Sequence, residues 1–136
     1  GGGRGPDAWT ATTAEFEQAL TGGRGPLKAR LLDQARLAGL GNLLVDEVLW
    51  RADLSPHRPA GLLDTDEVRR LRRVVRRVLD QMDRRGGSHT GDLFDARRPG
   101  GVCPRDGTGL RRATVGGRTT WWCPAHQKGT QNPQQR

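Results

Sequence analysis

The chain has 136 residues, only 33% of them hydrophobic, with twenty glycines and a formal net charge of +8. That length fits one compact domain or a small domain with a satellite, the low apolar content implies a modest core, and no run of 18 apolar residues exists to span a membrane. Nearly all the positive charge is arginine, whose planar guanidinium suits phosphate, so a polyanion is the expected partner.

In chain order, Gly1–Ala11 reads as an extended lead-in carrying Trp9. Thr12 and Glu15 make a T-x-x-E capping box for a short helix with Phe16, Ala19 and Leu20 on one face. Pro26 opens a second helix, with Leu27, Leu31, Leu32 and Ala35 on one side. Gly39 and Gly41 then break the chain into a double turn, and Asn42 is placed to cap a third helix bearing Leu44, Val45, Val48, Leu49 and Ala52. Two helices joined in this way leave the second helix's first N–H groups exposed, a geometry that receives phosphate. The neighbours Asp46 and Glu47 point in different directions on a helix, so they are expected as surface or capping groups rather than a catalytic pair.

Ser55-Pro56-His57-Arg58-Pro59 is a proline-punctuated connection. Asp64 or Thr65 caps the longest helix, Thr65 to Arg84, in which Val68, Leu71, Val75, Val78 and Met82 form an apolar stripe. Six arginines, 69, 70, 72, 73, 76 and 77, occupy the rest of its circumference as a solvated face. His57 and His89 show no partner in the sequence and read as surface or loop residues.

The C-terminal stretch carries the densest chemistry. Cys103 and Asp106 form a C-x-x-D pair, Cys123 and His126 a C-x-x-H pair, and sixteen residues separate Asp106 from Cys123. Two short pairs around a hairpin are the layout of a zinc ribbon, in which four donors converge on one ion. Leu110–Val115 and Arg118–Trp122 flank Gly116-Gly117, the turn of that hairpin, with a tryptophan sealing the ribbon core. Asp106 is a harder donor than the usual thiolate. The other reading of the two cysteines is a Cys103–Cys123 disulfide, which leaves the second member of each pair unexplained. From Arg97 to Trp122 six arginines stand against one acid, Asp106.

Taken together, Leu27-Lys28-x-x-Leu31-Leu32-Asp33-Gln34, Ala38-Gly39-Leu40-Gly41-Asn42-x-x-x-Asp46-Glu47-x-Leu49, Ser55-Pro56-x-Arg58-Pro59-Ala60 and Gly117-Arg118-Thr119-Thr120 before Cys-Pro resemble the C-terminal half of the Fpg/Nei family of DNA glycosylases. The resemblance runs from about Gly5 to Gln127. It implies a mainly α fold: a helix-two-turns-helix domain (1–87), a linker (88–102), a zinc ribbon (103–127) and a flexible tail (128–136). It further implies that Asn42 and Arg118 grip phosphates beside a damaged nucleotide, that Lys28 lies near the DNA, and that Cys103, Asp106, Cys123 and His126 hold Zn2+. The implied partner is duplex DNA with a damaged base or an abasic site, engaged by a cytoplasmic monomer in base-excision repair.

Three departures from the family pattern stand out. Asp106 and His126 replace cysteines, and the segment before the ribbon is short. The family's initiating Pro-Glu, which supplies the nucleophile for glycosylase and abasic-site lyase chemistry, is not found, so this chain is expected to be inactive alone. A stand-alone nucleic-acid-binding module is the alternative, and a ribbon serving as a protein-docking knob is a third reading.

Overall fold

The computed structural model describes residues 3–84 and 91–129. Four helices, α1 (Thr13–Leu20), α2 (Leu27–Leu32), α3 (Asn42–Arg51) and α4 (Thr65–Arg84), precede one antiparallel hairpin of β1 (Arg111–Val115) and β2 (Arg118–Trp122). The main core lies among the helices. Phe16 and Leu20 of α1, Leu27 and Leu31 of α2, Val45 and Val48 of α3, and Leu71 and Val75 of α4 are all closed to solvent.

Local chemistry fixes the helix starts. Thr12 Oγ1 accepts from the Glu15 amide at 3.1 Å while Glu15 Oε1 accepts from the Thr12 amide at 2.9 Å. Asp64 and Glu67 repeat the exchange ahead of α4, at 2.7 and 2.9 Å. These reciprocal bonds satisfy amides that lack a partner in the first turn. Along α4 the expected stripe is buried, Val68 to Met82. Arg69, Arg70, Arg73, Arg76 and Arg77 are exposed, and Arg70 and the half-buried Arg72 reach back to the carbonyls of Ala52 and Ala11 and staple α4 to its neighbours.

Helix α2 stops at Leu32, short of Ala35, which is exposed. Asp33 takes an extended conformation and its carboxylate accepts from the Ala35 amide at 3.0 Å, a local turn that competes with helix. Gln34 then stitches the double turn: Nε2 donates to the carbonyls of Leu32 and Leu40, and Oε1 accepts from the Gly39 amide. Gly41, not Asn42, is the N-cap of α3, and no side chain caps that end. Asn42 is the first helical residue and uses its side chain elsewhere.

The hairpin pairs Arg111 with Trp122 through Val115 with Arg118. Gly116 and Gly117 have φ of 61° and 76°, the left-handed pair that a two-residue turn matching strand twist requires. The turn does not protrude freely. A Cβ on Gly116 would lie 3.0 Å from Ala29 Cα, so the glycine lets the hairpin rest on the backbone of α2. Trp121 and Trp122 are both buried, and Trp122 meets His57 edge-on at 4.9 Å. His57 is therefore a half-buried packing residue, while His89 lies outside the described residues.

The stretch before Cys103, expected as a linker, is mostly exposed over its described part, 91–102, but is anchored at Leu93 and Arg97. Leu93 is closed to solvent in a second, smaller core with Trp50, Cys103 and Cys123. At the other end, the Lys128 carbonyl accepts from the Ser55 amide at 3.0 Å.

Candidate nucleic-acid interface and metal centre

The interface is built around a buried carboxylate that the sequence alone does not single out. Asp46 and Glu47, expected at the surface, are each 1% exposed. The reason is the central place of α3, which packs against α2, α4 and β2 and so has little free circumference. Asp46 Oδ1 receives Lys28 Nζ at 2.7 Å, and Oδ2 receives Arg97 Nη2 at 3.0 Å, Arg97 Nε at 3.1 Å and the Trp121 amide at 3.2 Å. One carboxylate thus joins α2, the 91–102 segment and β2. Glu47 does a parallel job, accepting from Arg51 Nε at 2.6 Å and the Leu93 amide at 2.9 Å.

Lys28 has no solvent-accessible surface. Burial pulls its pKa below the ordinary 10.5, and the Asp46 carboxylate opposes that pull. Its ammonium has a second acceptor, the Thr119 carbonyl on β2 at 3.1 Å. Asn42 Nδ2 donates to the same carbonyl at 3.1 Å. This contact also orients the amide, because the flipped form would set two oxygens against each other. Asn42 Oδ1 is left buried with no donor among the described residues.

Thr119 therefore brings Lys28 and Asn42 to the residue next to Arg118. The Arg118 side chain is exposed and makes no hydrogen bond or ion pair among the described residues. Its charge acts on Lys28, working with that of Arg97 against protonation. Of the six arginines between 97 and 122, Arg97 and Arg105 are committed to Asp46 and Asp53. Arg98, Arg111, Arg112 and Arg118 remain exposed, three of them on the hairpin. The exposed basic side chains of this stretch thus centre on the hairpin, beside the start of α3 that Asn42 ties to Thr119.

The four donors expected from spacing converge. Cys103 Sγ, a carboxylate oxygen of Asp106, Cys123 Sγ and a ring nitrogen of His126 all lie within 4.8 Å of one another. Both thiols are free, so the disulfide reading does not apply to this structure. Each pair closes a tight turn. The Cys103 carbonyl accepts from the Gly107 amide at 2.8 Å, and the Cys123 carbonyl from the Gln127 amide at 3.0 Å. Gln127, 2% exposed, locks the second turn by accepting from the Cys123 amide and donating to the Leu54 carbonyl.

The surroundings suit a cation. Asp106 is held ionised down to about 2, first by the Thr108 amide and then by the Thr108 hydroxyl, so it is an anionic donor at any ordinary pH. Burial pushes the Cys123 thiol up, which opposes a bare thiolate there and is what a bound cation would reverse. Cys103 Sγ accepts from Trp50 Nε1 at 3.3 Å and from the Arg105 amide at 3.4 Å, contacts that hold the sulfur in place. Two sulfur donors, a carboxylate and an imidazole gathered within 4.8 Å of one another form a possible metal-binding group.

The fold pairs a helix-two-turns-helix unit with a donor-bearing hairpin. Residues 3–92 match the formamidopyrimidine-DNA glycosylase H2TH domain family. The chain is similar to the formamidopyrimidine-DNA glycosylase of Thermus thermophilus, 41% identical over 128 aligned residues, covering 82% of this chain and 48% of that protein. It is also similar to that of Streptococcus pneumoniae, 37% identical over 127 residues, covering 83% and 46%. A solved complex between Lactococcus lactis Fpg and abasic-site DNA superposes with a TM-score of 0.80 at 28% identity, covering 93% of this chain and 52% of that one. The chain belongs to the formamidopyrimidine-DNA glycosylase family, within the wider Fpg/Nei group, and spans about half the length of the relatives it matches.

Proposed function

We propose that this chain is the DNA-binding half of a base-excision-repair glycosylase and abasic-site lyase, clamping the phosphates around a damaged or abasic nucleotide. The observation that carries the reading is the meeting of Asn42, Lys28 and the hairpin at the Thr119 carbonyl. It sets an amide donor at the start of α3 and the free guanidinium of Arg118 on one surface. A helix N-terminus supplies oriented N–H groups and partial positive charge, and arginine adds a bidentate donor, so the surface suits adjacent phosphates. Asn42 would exchange its Thr119 acceptor for a phosphate oxygen. Lys28 supports the site from behind, because its ammonium is enclosed and holds the hairpin in place.

We further infer that Cys103, Asp106, Cys123 and His126 hold Zn2+, which would cross-link the two turns where apolar side chains are few. The ion has a structural role in this reading, since the protein supplies four donors and leaves no coordination position open. The reading assigns the nucleophile to a part of the whole enzyme outside this chain. Lys28, the buried amine, is committed to Asp46 and Thr119.

The experiment is a fluorescence-anisotropy titration against duplex DNA with a central abasic-site analogue and against the undamaged duplex, at two salt concentrations and with or without chelator. Tighter binding to the abasic duplex that weakens with salt and with chelation is the expected result. Equal binding to both duplexes, indifferent to chelation, would favour a general nucleic-acid-binding module. Efficient borohydride trapping of the chain on abasic DNA would instead place a nucleophile within it.

A further inference from the structure

One residue outside the four donors sits against the preference of its own backbone. Asp53 follows the C-cap residue Ala52 of α3 with φ of 61°, the left-handed region, and is the one non-glycine residue there among the described residues. Helices commonly end in glycine at this position, because any Cβ there is crowded, and aspartate and asparagine bear the crowding best. The terminal turn is otherwise ordinary, with the Leu54 amide donating to the Leu49 carbonyl at 3.1 Å. Helix termination alone therefore asks for glycine, and the carboxylate must be sought in what it touches.

Asp53 Oδ1 lies 3.0 Å from His126 Nδ1 and also accepts from Arg105 Nη1. On the opposite edge of the same ring, His126 Nε2 lies 3.5 Å from Cys103 Sγ and faces the donor group. An ionised carboxylate can only accept, so the ring proton belongs on Nδ1 and the lone pair on Nε2. Arg105 Nη1 also approaches Nδ1, at 3.4 Å, but it is committed to the same Asp53 oxygen. Arg105 is itself held, with its guanidinium 5.0 Å over the Trp50 ring and Nη2 donating to the Trp50 carbonyl at 3.2 Å. The carboxylate is thereby fixed on one side by the backbone of α3 and on the other by an arginine clamped to the same helix.

We propose that Asp53 is the positioning residue of the metal centre, fixing the tautomer and ring angle of His126 so that Nε2 is presented to the ion. A thiolate needs no tautomer and binds from any rotamer that reaches; an imidazole must be turned and must carry its proton on the far nitrogen, which a carboxylate behind it enforces. With two of four donors not thiolates, orientation from outside the donor set replaces part of what further cysteines would supply. The proposal rests on reading the four donors as a zinc site.

The test uses this chain with Asp53→Gly and Asp53→Asn. Zinc affinity is measured by competition with a chromophoric chelator, donor geometry by the visible absorption of the cobalt-loaded protein, and the fold by thermal unfolding of the metal-free protein. In Asp53→Gly, zinc affinity falls on the order of 10–100-fold and the cobalt bands change, while the metal-free unfolding midpoint holds or rises because glycine suits the backbone. Asp53→Asn, which keeps a neutral acceptor and tolerates the conformation, falls between. Affinity in Asp53→Gly within about twofold of the parent overturns the proposal, as does a parallel drop in the metal-free midpoint, which would assign Asp53 to helix-end packing. A parent chain without tetrahedral cobalt bands would remove the zinc reading itself, and this proposal with it.

Discussion

Arg118 and Asn42 stand on one surface for different reasons. Arg118 makes no side-chain hydrogen bond or ion pair among the described residues, so its loss should leave the fold intact, whereas Asn42 also ties α3 to the hairpin. Arg118→Ala and Asn42→Ala are each expected to weaken DNA binding by roughly 1–3 kcal/mol, the scale of a charge-assisted or buried phosphate contact. Anisotropy titrations check this, and unchanged binding in both variants would remove the phosphate clamp. Asp46 is a different case. Its removal leaves Lys28, fully enclosed, and Arg97 without their shared anion. Asp46→Ala should therefore destabilise the chain by about 3–5 kcal/mol, the cost of stranding a buried charge, as read from urea unfolding. The sequence could not have pointed to Asp46, because Lys28, Arg97 and Trp121 lie 18, 51 and 75 residues away from it. Nothing in a local Asp-Glu pair marks which of the two is a hub.

Elements whose causes are local were legible from their residues. The Thr12 and Asp64 starts, the α4 stripe and the Gly116-Gly117 turn each follow from a few neighbouring side chains, and the four donors follow from spacing. The end of α2 was not legible. Leu32 and Ala35 continue a helical pattern, yet Asp33 and Gln34 bind the backbone of the turn and stop the helix first. The seating of the hairpin and its flanking turns was equally hidden, since it depends on Gly116 lying against Ala29 and on Gln127 reaching Leu54. The two donor-bearing turns share with Trp50 of α3 and Leu93 a small core around the two cysteines, with Leu110 packed on it. Cys123→Ser should thus release the metal and loosen residues 103–127 while α1 to α4 persist. The check is metal content by mass spectrometry with far-ultraviolet circular dichroism: a metal-loaded variant would contradict the ligand set, and loss of the helical signal would show that the core among the helices depends on the ion.

Across the whole molecule, the helical part meets the hairpin and its turns through polar contacts, a small apolar core and two edge-on aromatic pairs, Trp50 with His126 and His57 with Trp122. His57, beside Trp122, has its pKa lowered from the ordinary 6.5 by burial. Between that lowered value and 6.5 the unfolded chain binds more protons than the folded one, so stability rises with pH across the window. The contribution is fully present above 6.5 and is lost as the pH falls through the lowered value. Thermal unfolding should therefore show a steeper fall below neutral pH for the parent chain than for His57→Phe; parallel profiles would mean that His57 does not titrate differently on folding.

The shared Thr119 carbonyl has a thermodynamic corollary. It ties Asn42 and the enclosed Lys28 to the strand that runs directly into Cys123. If the ion orders that strand and a polyanion needs it ordered, the two ligands are linked, and linkage is reciprocal. Whatever factor the metal adds to DNA affinity, DNA must add to metal affinity. A saturating abasic duplex should then protect the ion against a chelator by the same ratio by which chelation weakens the duplex, so either titration predicts the other.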